Sequence, residues 1–263
     1  MIAFDHYLQK ANADLPQANL DVLDREADLK LADVLKIEEK NRLLNKGYLP
    51  AENGFYHFED GSAYAAVYTP MPKVSIEMID WWFWWHAKTS VRYQIWYPQM
   101  HYSISADFQG HYDDDSKSYR ERLHLSQHTV EEDIGTGKEK ILIDFLSPKD
   151  FGFDPVLLDN EQDLTIICAG VGDLEKRVWH TKMCHQVRKM EVGVEMRSRF
   201  WLAQKVERMD RFLEKPINFL LNQPLIKKKL LPKKLGKYMF HHCTQEYNNL
   251  NEILPEIYEK VNK

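Results

Sequence analysis

A chain of 263 residues, 44% of them hydrophobic, can bury one substantial core and still carry a terminal appendage. The formal net charge of −5 argues against a general nucleic-acid-binding face, and three widely spaced cysteines (Cys168, Cys184 and Cys243) argue against a disulfide framework. No apolar run approaches the roughly 20 residues of a membrane helix and Met1–His6 lacks a signal-peptide pattern, so a soluble cytoplasmic protein in a reducing compartment is expected.

Residues up to about Lys46 read as helical, because Leu23, Ala27, Leu31, Val34 and Leu35 recur at helical spacing and Gly47 offers a stop. This segment, residues 1–50, has little apolar surface and is expected to pack on the main domain, residues 51–263, or on a second copy in a homodimer. Ala63–Tyr68 reads as a strand, ended by Thr69-Pro70-Met71-Pro72 because proline has no ladder donor. Ser75 can cap a short helix with Glu77 near its positive end. That helix carries Trp81-Trp82-Phe83-Trp84-Trp85-His86, where four of the seven tryptophans fall in five residues. Such density marks a core wall or a pocket for a flat ligand. His86, Tyr93 and His101 supply polar points among the aromatics, as ligand sites do, and Trp81, Trp85 and His86 become candidate substrate contacts. A strand is expected from near Val91, with Tyr93, Ile95 and Tyr97 on one face.

From Tyr102 to Trp201 the chain reads as strands and polar turns. The acidic run His111–Lys117 lacks the ligand alternation of a calcium loop and reads as a solvated turn. Strand parity in Val130–Ile134 turns Glu132 inward with Val130 and Ile134, and Glu131 outward. Further strands are expected at Ile141–Phe145, Leu164–Gly170, Arg177–Lys189 and Val194–Ala203, with Gly193 in the last turn. The same parity sets His185 inward with Trp179, Met183 and Val187. Lys227-Lys228-Lys229 and Lys233-Lys234 read as a solvated connection in an acidic chain. Lys237–Val261 reads as a long helix with Cys243, Tyr247, Leu250, Leu254, Ile257 and Val261 as its apolar stripe and Pro255 as a potential kink. His242 and Glu246 lie four apart on it, on a face continued by Leu250 and Ile253. Together with His101 and Glu132 they make a two-His, two-Glu set that suits zinc. A non-haem iron site, which usually takes two His and one carboxylate, is the lesser alternative.

The motifs W-W-F-x-W-H at Trp81–His86 and R-Y-x-x-W-x-P-x-x-H at Arg92–His101 resemble the diacetylphloroglucinol hydrolase and phloretin hydrolase family. The resemblance runs from about Gly61 to the C-terminal helix. It implies an α+β helix-grip fold of the birch-pollen-allergen type, a curved antiparallel sheet around a long C-terminal helix, which the strand pattern accommodates without selecting. It also implies zinc-dependent hydrolysis of the carbon–carbon bond between an acyl group and a phenolic ring. The family's zinc ligands carry over as His101, Glu132, His242 and Glu246. Its substrate-holding tyrosine becomes Tyr93, and a His beside the substrate becomes His185, a candidate proton donor. Two family positions differ: Ile104 stands where an asparagine is expected, and no tyrosine occurs near Phe200 or Trp201. Both concern substrate contacts. The alternative reading is a non-catalytic helix-grip carrier of flat hydrophobic ligands.

Overall fold

A computed structural model describes residues 4–24, 29–158, 163–210 and 214–262. Met1–Ala3 and Ala27, which enter the expectations above, lie outside the described residues. Strands β1 (Gly54–His57), β2 (Ala63–Met71), β3 (His101–Asp107), β4 (Gln127–Glu132), β5 (Glu139–Leu146), β6 (Leu164–Asp173), β7 (Val178–Lys189) and β8 (Val194–Arg208) form one sheet. Its order is β1-β2-β8-β7-β6-β5-β4-β3, with every neighbouring pair antiparallel. The fold class is therefore α+β.

Both faces of the central strands are covered, which explains their nearly continuous apolar runs. On one face, Ala63, Ala65, Val67, Ile167, Ala169, Met183 and Phe200 pack with the tryptophan segment and the last helix. On the other, Tyr64, Ala66, Ile166, Cys168, Cys184 and Trp201 meet Val34, Leu35, Leu43 and Phe153. The three cysteines are free and buried. At Gly193 (φ +68°), a Cβ would come within 2.3 Å of the Met71 carbonyl oxygen, so the β7–β8 turn requires glycine.

The N-terminal segment is not one helix. It comprises α1 (Asp5–Leu8), α2 (Gln17–Asp24) and two 3₁₀ turns at Leu31–Asp33 and Ile37–Leu44. Polar ties anchor it: Trp201 Nε1 donates to the Leu35 carbonyl at 2.8 Å, and Arg197 Nη1 to that of Leu43 at 2.9 Å.

The crossover from β2 to β3 spans the sheet from one edge region to the other, and it carries α3 (Ile76–Trp85) and α4 (Ser90–Gln94). Ser75 caps α3, its hydroxyl accepting from Met78 N at 3.2 Å. The strand expected near Val91 is instead α4, because Thr89 caps a helical turn by accepting from Arg92 N. Nor do the prolines end β2 at Tyr68: it continues to Met71, opposite Val194. β1 pairs only with Ala63–Ala66, so Pro70 lies where one side of the strand is open.

Two short helices, α5 (Tyr119–Leu123) and α6 (Pro148–Phe151), lie in the loops flanking β4 and β5, and α7 (Glu214–Leu221) and α8 (Pro224–Leu230) follow β8. The lysine run is not wholly solvated. Lys227 is buried, donating to Asp60 Oδ2 at 2.9 Å and to the Gln204 carbonyl at 3.0 Å, whereas Lys228 and Lys229 are exposed. The final helix, α9 (Leu235–Asn262), runs through Pro255 and buries His242, Cys243, Glu246, Tyr247, Leu250 and Ile253. Among the described residues no helix is long and apolar enough to cross a membrane.

Candidate active site

A cavity of about 410 Å³ lies among the sheet, the tryptophan segment and α9, a size that suits a small flat ligand. Phe83, His86, Tyr93 and Trp96 line it from the crossover, Val130 and Glu132 from β4, Met183 and His185 from β7, and His242, Glu246 and Tyr247 from α9.

Four side chains converge beside this cavity, three of which, Glu132, His242 and Glu246, line it. His101, the first residue of β3, stands directly opposite Glu132 across the β3–β4 pair. One ligand atom from each of His101, Glu132 and His242 lies within 4.8 Å of the others. Glu246 Oε2 is 3.6 Å from His101 Nε2 and 3.8 Å from His242 Nε2. The two α9 residues arrive together because a spacing of four stacks them on one helical face.

The protonation of His101 follows from its partners. Its Nδ1 faces the Tyr93 carbonyl at 3.2 Å, which can only accept, so the neutral ring carries its proton there. Nε2 is then a bare lone pair with no hydrogen-bond partner, buried and facing a carboxylate oxygen. With Glu246 ionised, lone pair faces lone pair, and a cation between them relieves the repulsion. A carbonyl holding Nδ1–H is also the usual support for a metal-bound imidazole. The donor set thus fits a metal ion.

Burial opposes charge throughout the cluster. It pushes Glu132 up to about 7, with its Tyr93 hydrogen bond opposing, and raises Glu246 well above the usual carboxylate range, with Glu132 adding to the effect. It lowers His242 to about 4 and His101 well below its ordinary value, the His242 ring reinforcing the latter. Glu132 exposes part of its surface, but to the cavity it lines. A bound cation would reverse the sense for both carboxylates.

Tyr93 stacks on His101 at 4.1 Å between ring centroids, and its hydroxyl donates to Glu132 Oε2 at 2.5 Å. His185 is 2% exposed; its Nδ1 meets Ser198 Oγ at 2.8 Å and its Nε2 meets the Tyr247 hydroxyl at 3.1 Å. Burial lowers it to about 3. Trp179 does not share its side, because one extra residue, His180, bulges from β7 opposite Val171 and Gly172 of β6. Val178 and Thr181 line the cavity in its place.

Trp81 and Trp85 are not among the residues lining the cavity, which corrects their expected role as substrate contacts. They stack on each other at 4.9 Å, and Trp81 meets Tyr258 of α9 and Trp85 meets Phe4 edge to face. Phe83 and His86, three apart on the opposite side, reach the cavity instead. Two cavity residues, His128 and Tyr247, gained no chemical role from the sequence. Parity with Val130 and Glu132 could have found the first, while the second was placed only in an apolar stripe.

Comparison with known proteins gives this geometry its context. Residues 35–259 match the family described as the DAPG hydrolase PhiG domain. A phloretin hydrolase of Eubacterium ramulus is 28% identical over 260 residues, covering 98% of this chain and 89% of that protein. A 2,4-diacetylphloroglucinol hydrolase of a Pseudomonas sp. is 27% identical over 245 residues, covering 90% of this chain and 81% of that one. With the match spanning most of its length, the chain belongs to the DAPG hydrolase PhiG domain family.

Proposed function

We propose that this protein is a zinc-dependent hydrolase of the carbon–carbon bond between an acyl group and a polyhydroxylated aromatic ring, built on a helix-grip architecture. The relatives' named substrates, phloretin and 2,4-diacetylphloroglucinol, support the substrate class. The observation that carries the metal is the bare His101 Nε2 facing Glu246 Oε2. His101, Glu132, His242 and Glu246 would hold the ion, and two imidazoles with two carboxylates are donors zinc accepts. Zinc bound there supplies a Lewis acid and an acidified water.

In the net reaction, hydroxide from water joins the acyl carbon and a proton joins the ring carbon, giving a carboxylic acid and a phenol. The bond electrons leave on the ring carbon and spread to the ring oxygens before that proton arrives. The hydrogen-bonded series Ser198, His185, Tyr247 ends at the cavity and is suited to deliver it. With its pKa lowered to about 3, His185 is neutral near pH 7, so it relays a proton rather than storing one. His185→Ala is expected to retain metal and lose turnover by roughly 10²–10⁴-fold; wild-type turnover in that variant would place the donor elsewhere.

Tyr93 holds the Glu132 carboxylate and faces the cavity, where its oxygen can also meet a phenolic hydroxyl. Tyr93→Phe is expected to bind metal and lose about 10–100-fold in turnover, the usual scale for a group supporting a ligand. The reading as a whole is tested by metal analysis of gently purified protein and by acid release from a panel of acylated phenols. About one zinc per chain is expected, with acid released from at least one substrate; absence of both overturns it.

A further inference from the structure

Two buried histidines outside the proposed metal cluster meet in the same cavity, and their hydrogen bonds fix their tautomers. His86 Nδ1 faces the Trp82 carbonyl at 2.8 Å. A carbonyl only accepts, so the proton sits on Nδ1 and Nε2 keeps its lone pair. The Ser126 hydroxyl gives its single proton to the Leu123 carbonyl at 2.8 Å, yet Ser126 Oγ also lies 3.2 Å from His128 Nε2. Ser126 must therefore accept from His128 Nε2–H, which leaves the lone pair on His128 Nδ1.

Neither remaining nitrogen has a hydrogen bond among the described residues, although His86 is 2% exposed and His128 1%. Both rings line the cavity, 5.8 Å apart between centroids. Burial lowers both pKa values, and proximity to His86 lowers that of His128 further, so both rings are neutral acceptors near pH 7. Both nitrogens keep some surface open to the cavity, where a substrate donor can reach them in place of water. The surrounding wall is aromatic: Phe145 lies 4.7 Å from His128, and Phe83 lies 5.7 Å from His86. Ring contacts lead there from the metal cluster, from His101 to Tyr93 at 4.1 Å and from Tyr93 to His86 at 6.0 Å.

We infer that His86 and His128 form an acceptor pair that binds a hydroxyl on the far side of the substrate ring from the scissile acyl group, and so select for hydroxylation there. The inference rests on the proposed acylphenol hydrolysis, with the acyl group at the metal cluster and the ring in the same cavity as His86 and His128. An O–H group gives its single proton to one of these nitrogens, with the other left to a cavity water, whereas an ether or a bare C–H donates to neither.

The test compares metal-loaded wild type with His128→Leu and His86→Phe on two probes, 2,4,6-trihydroxyacetophenone and 2,6-dihydroxyacetophenone, which differ only in the hydroxyl para to the acyl group. KM and kcat are measured for both ketones. Affinities for the ring products 1,3,5-trihydroxybenzene and 1,3-dihydroxybenzene are measured by calorimetry, with zinc content as a control. Wild type is expected to favour the para-hydroxylated ketone about tenfold in KM, the scale of one hydrogen bond unmade in a buried site. In either variant that ratio should fall toward one, with the product affinities following it. Hydrolysis of both ketones with the tenfold preference intact in a folded, metal-loaded variant overturns this inference alone. Wild type that neither binds nor hydrolyses either ketone removes the hydrolase reading along with it.

Discussion

His242→Ala and Glu132→Gln are each expected to reduce turnover by more than about 100-fold, beyond the range typical of groups that merely support a metal ligand. His242→Ala should also lose its metal, since it removes one of the converging donors on α9. Glu131→Gln is the matched control. Its carboxylate accepts from Ser103 Oγ at 3.0 Å and pairs with Lys138 Nζ at 3.1 Å, with side chains 35% and 53% exposed. A surface pair of this kind is screened by solvent and adds little, so the substitution should be nearly silent in both metal content and rate. Steady-state kinetics and metal analysis of the three variants decide the matter. If Glu131→Gln is dead and Glu132→Gln active, the proposed ligand on β4 is the wrong one.

That adjacent glutamates can be told apart without a structure reflects a regular strand, where side chains alternate strictly. Glu132 and His185 were readable this way, and so was the His242–Glu246 pair, because a long helix keeps its period through a spacing of four. Parity failed at Trp179, where a bulge inserts one extra residue, His180, into β7 opposite β6, and nothing in the local composition announces it. It failed differently at Tyr93, Ile95 and Tyr97, whose alternation suits a strand; Thr89 capping tips that stretch into a helix. The tryptophan cluster shows a third limit. A ten-residue helix presents two apolar faces, and density alone could not say that Phe83 and His86 face the cavity while Trp81 packs on Tyr258 of α9 and Trp85 on Phe4. The His101 lone pair was beyond reach because it depends on where a backbone carbonyl ends up.

The protein is expected to lose stability steeply below pH 6.5. His86, His128 and His185 are neutral in the fold, because burial lowers them to about 4, well below the ordinary value, and about 3, respectively. In the unfolded chain each titrates near 6.5. Between those limits the unfolded state binds protons that the fold refuses, so stability falls as pH falls from 6.5 toward about 4. His86 and His185 each cost about 1 kcal/mol between pH 6.5 and 5.5, about 2 kcal/mol together, and His128 adds to that loss. That is a large fraction of the roughly 5–15 kcal/mol that holds a typical domain folded. Without metal, the raised Glu132 and Glu246 act in the opposite sense, since the fold takes up their protons first as pH falls. With metal bound, those carboxylates stay ionised, and acid release of the ion adds to the histidine loss. Denaturant unfolding of the metal-loaded protein at pH 6.5 and 5.5 measures the sum. His128→Leu removes one of these titrations, so it should lose measurably less stability than wild type over the same interval. Equal losses in the two proteins would mean that His128 takes up its proton in the fold as readily as in the unfolded chain.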